Sequence, residues 1–188
     1  MSSYTIRALD LVISFAVLVI LSPIFVTLIC LGSMVFRSPF FLQKRVGQWG
    51  QIFIIFKLRT LPISTPSVPT HELNRVEITP YGKFLRRSKL DELPQLFNVI
   101  LGQMSLVGPR PCLPSQTAII CLRESSGVLA SKPGITGLAQ LHNVHMEFPH
   151  EVVELDKKMQ SKMNIDFYFK ILFSTLLEIV YPKLRRLT

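Results

Sequence analysis

The chain has 188 residues, the size of one domain, and 48% of them are hydrophobic. Its 21 Lys and Arg against 12 Asp and Glu leave a net charge of +9, which suits an anionic surface, a diphosphate ligand or nucleic acid and does not choose among them. Cys30, Cys112 and Cys121 are odd in number and lack metal-ligand spacing, so they imply no zinc site and read as reduced thiols of a cytoplasm-facing protein.

Residues Leu11 to Phe36 are the one stretch long enough to enter a bilayer, in keeping with a mean hydropathy of +0.38. Ser22-Pro23 divides it into halves of about a dozen residues, each too short to cross alone when a straight span needs roughly 20. Proline removes a backbone donor and the serine hydroxyl can satisfy the freed carbonyl, which favours a bend. Arg7 before the segment and Arg37, Lys44 and Arg45 after it hold both ends on the cytoplasmic side. A helix-break-helix that enters and returns meets these conditions, and a transmembrane helix with a proline kink is the alternative.

From Phe40 to Phe56 the pattern changes to β-formers punctuated by Gly47 and Gly50, which predicts a short hairpin. It delivers Lys57 and Arg59, two cations one residue apart that project to the same side of an extended chain and suit a diphosphate, or else a solvated strand end. Leu61 to Val76, with three prolines, reads as a loop. Tyr81 to Lys89 resumes helical character, with Lys83, Arg86 and Arg87 beside Phe84 and Leu85, as in a helix lying along a membrane face.

Leu90, Leu93, Leu96, Phe97 and Ile100 recur at helical spacing, so a helix is predicted to begin at about Asp91, with Pro94 in its first turn. The start of that helix would keep Asp91 and Glu92 ionised. Ser88-x-x-Asp91 alone is explained equally by a capping box. The setting adds Arg86, Arg87 and Lys89 before the acids and Gly108-Pro109-Arg110-Pro111 after them, the parts needed for a magnesium-bridged diphosphate and a nucleophile that attacks it. Gly102 is read as ending the helix, and Arg110, held between prolines, presents a planar fork to a phosphate or nucleotide.

Thr117 to Leu129 is predicted helical, and Lys132-Pro133-Gly134-Ile135-Thr136-Gly137 a turn able to aim backbone N–H groups at phosphate. Neither GxxxxGK[ST] nor GxGxxG occurs, so Walker and Rossmann chemistry find no support. His142, His145 and His150 lack ligand spacing and read as surface histidines. Met163 to Val180 suits an interfacial helix with a basic end at Lys183, Arg185 and Arg186, or a core helix.

The blocks Lys57-Leu58-Arg59-Thr60, Phe84-Leu85-Arg86-Arg87-Ser88, Leu90 to Leu96, Ser105 to Pro111 and Lys132 to Gly137 together resemble the monotopic polyprenyl-phosphate phosphoglycosyl transferases, or bacterial sugar transferases. The resemblance runs from the hydrophobic segment to about Asp156. It implies transfer of a sugar-1-phosphate from a UDP-sugar to undecaprenyl phosphate, with release of UMP, at the cytoplasmic face of the bacterial inner membrane. Asp91 would be the nucleophile, Glu92 the Mg²⁺ ligand, Lys57, Arg59, Arg86 and Arg110 the substrate-binding cations, and Ser22-Pro23 the turn of a re-entrant helix. The implied partners are the UDP-sugar, undecaprenyl phosphate and inner-membrane lipid, with no nucleic acid; the sequence allows a homo-oligomer.

Two positions depart from the family: Gln103 stands where many members have an aspartate, and Tyr168 where an acid is common. The expected fold is α+β, mostly α, with a membrane segment over 1–37 and a catalytic domain with amphipathic interfacial helices over 38–188. A non-catalytic basic membrane adaptor, binding anionic lipid or a partner protein, is the rival reading.

Overall fold

A computed structural model describes residues 3–63, 65 and 78–180. The proline-rich segment expected as a loop lies largely outside these residues, and so do Lys183, Arg185 and Arg186. The fold is mostly helical, with a short β-hairpin and one long apolar N-terminal helix.

That helix, α1 (Ser3–Phe36), has a mean hydropathy of 2.8 over its most apolar window, of which only 11% is buried within the protein. The break expected at Ser22-Pro23 does not end the helix, which runs on with Pro23 inside it. The reason is local: Pro23 has no N–H for the Val19 carbonyl four residues back, and the Ser22 hydroxyl donates to that carbonyl at 2.8 Å. The two separate arms expected from the sequence are therefore one helix.

The hairpin comes next, β1 (Phe40–Val46) antiparallel to β2 (Ile52–Leu58). Trp49 and Gly50, both at positive φ, reverse the chain between them. Period-two alternation turns Gln43, Phe53 and Ile55 inward and leaves Phe40, Leu42, Ile52 and Ile54 exposed. Beyond it lies α2 (Pro80–Ser88), capped by the Thr79 hydroxyl, which accepts from the Gly82 N–H. Lys89 stops it in the left-handed conformation at φ 59°.

A single 3-10 turn, Leu90–Glu92, links α2 to α3 (Gln95–Ile100), and Gly102 closes this unit at φ 82°. Then come β3 (Ser105–Val107), α4 (Thr117–Ser125), β4 (Gly134–Thr136), α5 (Leu138–Leu141), α6 (Pro149–Lys162) and α7 (Ile165–Val180). The segment expected as a phosphate-facing turn is instead the strand β4, parallel to β3. Gly108 and Gly134 touch so closely that a Cβ on Gly134 would enter the Gly108 backbone. The Gly134 N–H donates to the Pro109 carbonyl at 2.9 Å and is not available to a ligand.

The main core gathers Phe53, Ile55, Leu96, Val99, Met104, Leu106, Tyr168 and Ile171, with the Ile6 to Phe25 side of α1 packed against it. α7 buries Tyr168 and Ile171 in that core while exposing Phe173, Leu176 and Leu177. Asp10 of α1, itself buried, accepts from the Ser105 hydroxyl, the Leu106 N–H and the Tyr168 hydroxyl, at 3.1, 3.0 and 2.8 Å. Near its other end α1 is held by the Tyr81 hydroxyl, which donates to the Leu28 carbonyl at 2.7 Å.

Asn98 joins α3 to the hairpin and is fully buried. Its side-chain oxygen accepts from the Phe56 N–H at 3.0 Å, and its amide donates to the Ile54 carbonyl and to Gln103 Oε1, both at 2.7 Å. Asn98→Ala leaves two backbone groups of β2 unpaired, and is expected to cost about 3 kcal/mol and lower Tm by about 10 °C. An unchanged melting curve of the purified protein would remove Asn98 from this role.

Candidate active site

Asp91 and Glu92 sit on the 3-10 turn before α3, not at the start of an α-helix, which begins at Gln95 behind Pro94. Left-handed Lys89 turns the chain sharply out of α2, and Ser88 closes α2 by donating to the Phe84 and Leu85 carbonyls instead of capping the 3-10 turn. A six-residue helix starting beyond the acids cannot hold both of them ionised, so their charge states must come from side chains.

Those side chains treat the two acids differently. Lys57 Nζ of β2 donates to Glu92 Oε1 at 2.8 Å, and Arg110 Nη2 reaches the same oxygen at 3.2 Å. Burial would raise the Glu92 pKa, but the Lys57 and Arg110 charges and the Lys57 hydrogen bond outweigh it and hold this carboxyl well below the usual range. Burial lowers the Lys57 pKa, a shift that Glu92 opposes. Among the described residues no hydrogen bond ties down the Asp91 side chain. Burial, followed by the neighbouring Glu92 charge, raises its pKa against the pull of Lys57, Lys89 and Arg86. The pair is split into a pinned anion and an unpinned, more basic carboxylate.

The loop that carries Arg110 is fastened at every carbonyl from Pro109 to Cys112. Pro109 accepts from the Gly134 N–H, Arg110 from Arg123 Nη1 at 2.8 Å, Pro111 from Arg45 Nη1 at 3.0 Å, and Cys112 from the Val46 N–H at 2.9 Å. Arg123 is itself fixed by a buried pair with Asp156, whose Oδ2 accepts from Nη2 at 2.7 Å and from Nε at 3.0 Å. The Arg110 guanidinium therefore stands on backbone held at four consecutive carbonyls.

Of the residues picked out from the sequence, Asp91, Glu92, Lys57 and Arg110 come together. Arg86 is next to them, its Nε donating to the Thr60 hydroxyl at 3.0 Å while its charge acts on Asp91. Arg59 is not brought in; it donates to the Ser38 and Phe40 carbonyls and lies 5.8 Å from the Phe41 ring centroid. Ser22 and Pro23 lie within α1, and neither they nor His142, His145 and His150 line the cleft beside Lys57 and Arg110. Gln103 is a partner of Asn98.

Arg45, Arg123, Asp156, Asn98 and Asp10 were not singled out for the site by sequence reasoning. Only Arg45 carried a local signal, since strand alternation puts it on the same face as inward-turned Gln43 and pairs it with Phe53. No group of three or more His, Cys, Asp or Glu among the described residues is arranged to hold a metal. Magnesium commonly takes one or two carboxylates and completes its shell with substrate phosphates and water, and the adjacent Asp91 and Glu92 carboxylates fit that mode.

An apolar N-terminal helix thus packs on a small, mostly helical domain whose acid pair is ringed by Lys57, Arg110 and Arg86. The chain belongs to the bacterial sugar transferase family, which it matches over residues 1–182. It is 33% identical over 168 residues to a UDP-glucose:undecaprenyl-phosphate glucose-1-phosphate transferase of Klebsiella pneumoniae, an alignment covering 87% of this chain and 35% of that protein. It is 34% identical over 157 residues to an undecaprenyl-phosphate galactose phosphotransferase of Salmonella typhimurium, covering 74% of this chain and 33% of that protein. These relatives are thus about three times as long as the part this chain spans. The uncharacterized sugar transferase EpsL of Bacillus subtilis is 32% identical over 175 residues, covering 93% of this chain and 86% of EpsL.

Replacing Lys57 by Met leaves Glu92 buried with one cation fewer, and breaking such a pair costs about 3–5 kcal/mol. In the unsubstituted protein the lowered Glu92 pKa contributes stability above the unfolded value that is lost as pH falls. In the variant burial wins, the pKa rises, and acid relieves the buried charge. The Tm difference between the two is therefore expected to narrow from pH 7 to pH 5; a constant gap in calorimetry would contradict this account.

Proposed function

We propose that this protein transfers a sugar-1-phosphate from a UDP-sugar to undecaprenyl phosphate, releasing UMP. The observation that carries the reading is the division of the acid pair, with Glu92 pinned by Lys57 and Arg110 while Asp91 stays unpinned and more basic. A buried carboxylate needs no general base to act as a nucleophile, and a raised pKa strengthens it. The names of the relatives, transferases of glucose-1-phosphate and a galactose phosphotransferase acting with undecaprenyl phosphate, support the substrate classes.

In this mechanism an Asp91 oxygen attacks the sugar-proximal phosphorus, the bond from that phosphorus to the bridging oxygen breaks, and UMP leaves with the electron pair. An oxygen of undecaprenyl phosphate then attacks the phosphorus of the acyl phosphate, forming the diphosphate-linked sugar and restoring the Asp91 carboxylate. Lys57 and Arg110 neutralise charge on the transferring and leaving oxygens, and Arg86 adds to the field at Asp91. Mg²⁺ would be held by Glu92 and would supply further neutralisation of the diphosphate.

The membrane arrangement that fits this reaction is a re-entrant α1 with the domain on the cytoplasmic face, where UDP-sugars are made. Arg7 and Asp10 toward one end of α1 and Leu28 toward the other all bond to the same domain. A helix crossing about 30 Å of hydrocarbon would separate those ends onto opposite sides, with the domain on one side only. The product is suited to the first membrane step of a surface glycan such as an O-antigen, capsule, exopolysaccharide or glycoprotein glycan.

Enzyme incubated with UDP-glucose or UDP-galactose alone, quenched in acid, is expected to show a hexose-phosphate adduct on the peptide carrying Asp91 and one equivalent of UMP. Asp91→Asn should give neither. UMP release only when lipid is present, with no adduct on active enzyme, would mean direct attack by the lipid phosphate. The donor-only step should lose rate as pH falls through the Asp91 pKa, because the protonated acid cannot attack. Its acid limb is expected above the ordinary aspartate value of 3.8; a limb at or below that value would contradict the burial argument.

A further inference from the structure

We propose that Arg45 is a third cation for the diphosphate of the donor, binding it in the cleft between the hairpin and the Arg110 loop; this deepens the transfer reading and rests on it. The cleft is lined by Arg45 of β1, Lys57 of β2, Gln95 of α3, and Arg110 with Pro111. Lys57 and Arg110 share one Glu92 oxygen. Arg45 has no carboxylate partner among the described residues. Its Nη1 donates to the Pro111 carbonyl at 3.0 Å and its Nη2 to Gln43 Oε1 at 2.6 Å, while its Nε is buried with no partner.

A guanidinium taken largely out of water and bonded only to neutral oxygens lacks the anion that such burial calls for. Arg45, Lys57 and Arg110 against the two carboxylates of Asp91 and Glu92 leave the cleft with surplus positive charge. A nucleoside diphosphate sugar brings two negative charges on neighbouring phosphates, and the planar fork of arginine matches phosphate oxygens. Burial, followed by the Arg110 charge, lowers the Arg45 pKa to about 10, so it stays charged at neutral pH. Arg45 also braces the Pro111 carbonyl, and a purely structural role must be distinguished from direct binding.

The test is calorimetric titration of the full chain in lipid nanodiscs with UDP and with uridine. Arg45→Gln is expected to weaken UDP at least about tenfold and leave uridine unchanged, with Arg45→Lys intermediate because it keeps charge without the fork. The loss should multiply with that of Arg110→Gln. Unchanged UDP affinity, an equal loss for uridine, or no effect of Arg45→Gln in the Arg110→Gln background would overturn the proposal, the last assigning Arg45 to holding the loop. If the variants melt well below the unsubstituted protein, inorganic pyrophosphate protection of Arg45 from phenylglyoxal on the unsubstituted chain decides; no protection rejects the proposal. Failure of the unsubstituted protein to bind UDP would sink the donor reading itself, whereas UDP binding that ignores Arg45 sinks only this inference.

Discussion

The site depends on one carboxylate oxygen, Glu92 Oε1, held between Lys57 and Arg110. Each cation arrives from a different part of the chain, and each needs its own support. Lys57 comes on β2, whose outer edge is fastened to α3 by the Asn98 amide. Arg110 comes on a loop whose carbonyls are taken by β1, β4 and two arginines. A charge-assisted hydrogen bond contributes about 1.5–3 kcal/mol when its geometry is right. Much of the domain's polar interior serves to keep that geometry.

The long apolar helix, the hairpin and the glycine stop at Gly102 were legible because each is a local pattern: a hydrophobic run, a period of two, and a residue tolerant of positive φ. Asp91, Glu92, Lys57 and Arg110 were legible as chemistry, since neighbouring motifs placed acids among cations. The helix start was misplaced because apolar spacing through Leu90 and Leu93 continues across a 3-10 turn, and periodicity does not register left-handed Lys89. Arg59, grouped with Lys57 in the sequence, turns to other partners for a related reason. Strand alternation gives the side of a residue but not its partner, and Arg59 donates to the Ser38 and Phe40 carbonyls.

What could not be read were contacts between positions far apart in sequence. Asp10 meets Tyr168 across 158 residues, and Arg123 meets Asp156 across 33. Tyr168, a departure from the family pattern, is a buried hydroxyl donor to a helix carboxylate, and Gln103, the other departure, is the partner of the Asn98 amide. The net charge of +9 also reads differently against the structure. Arg7 is bonded to the last carbonyls of α3, Arg59 to carbonyls beside the hairpin, and Arg123 to a buried aspartate, so part of the basic surplus is internal fastening and not membrane adhesion.

The division of labour between the acids rests on which interaction is larger. A helix terminus would act on two adjacent carboxylates alike, and at about 0.3–1 kcal/mol it could not offset the burial of both. Two cations bonded to one oxygen act more strongly on the acid that carries it, and their combined effect overcomes burial at Glu92, whereas at Asp91 the pull of Lys57 leaves burial dominant. Adjacency then works in one direction. The fixed negative charge of Glu92 raises the pKa of its neighbour further, so the bonds that keep Glu92 ionised help to make Asp91 the more basic of the two. The split therefore belongs to the positions as well as to the acids, because it is position 92 that faces Lys57 and Arg110.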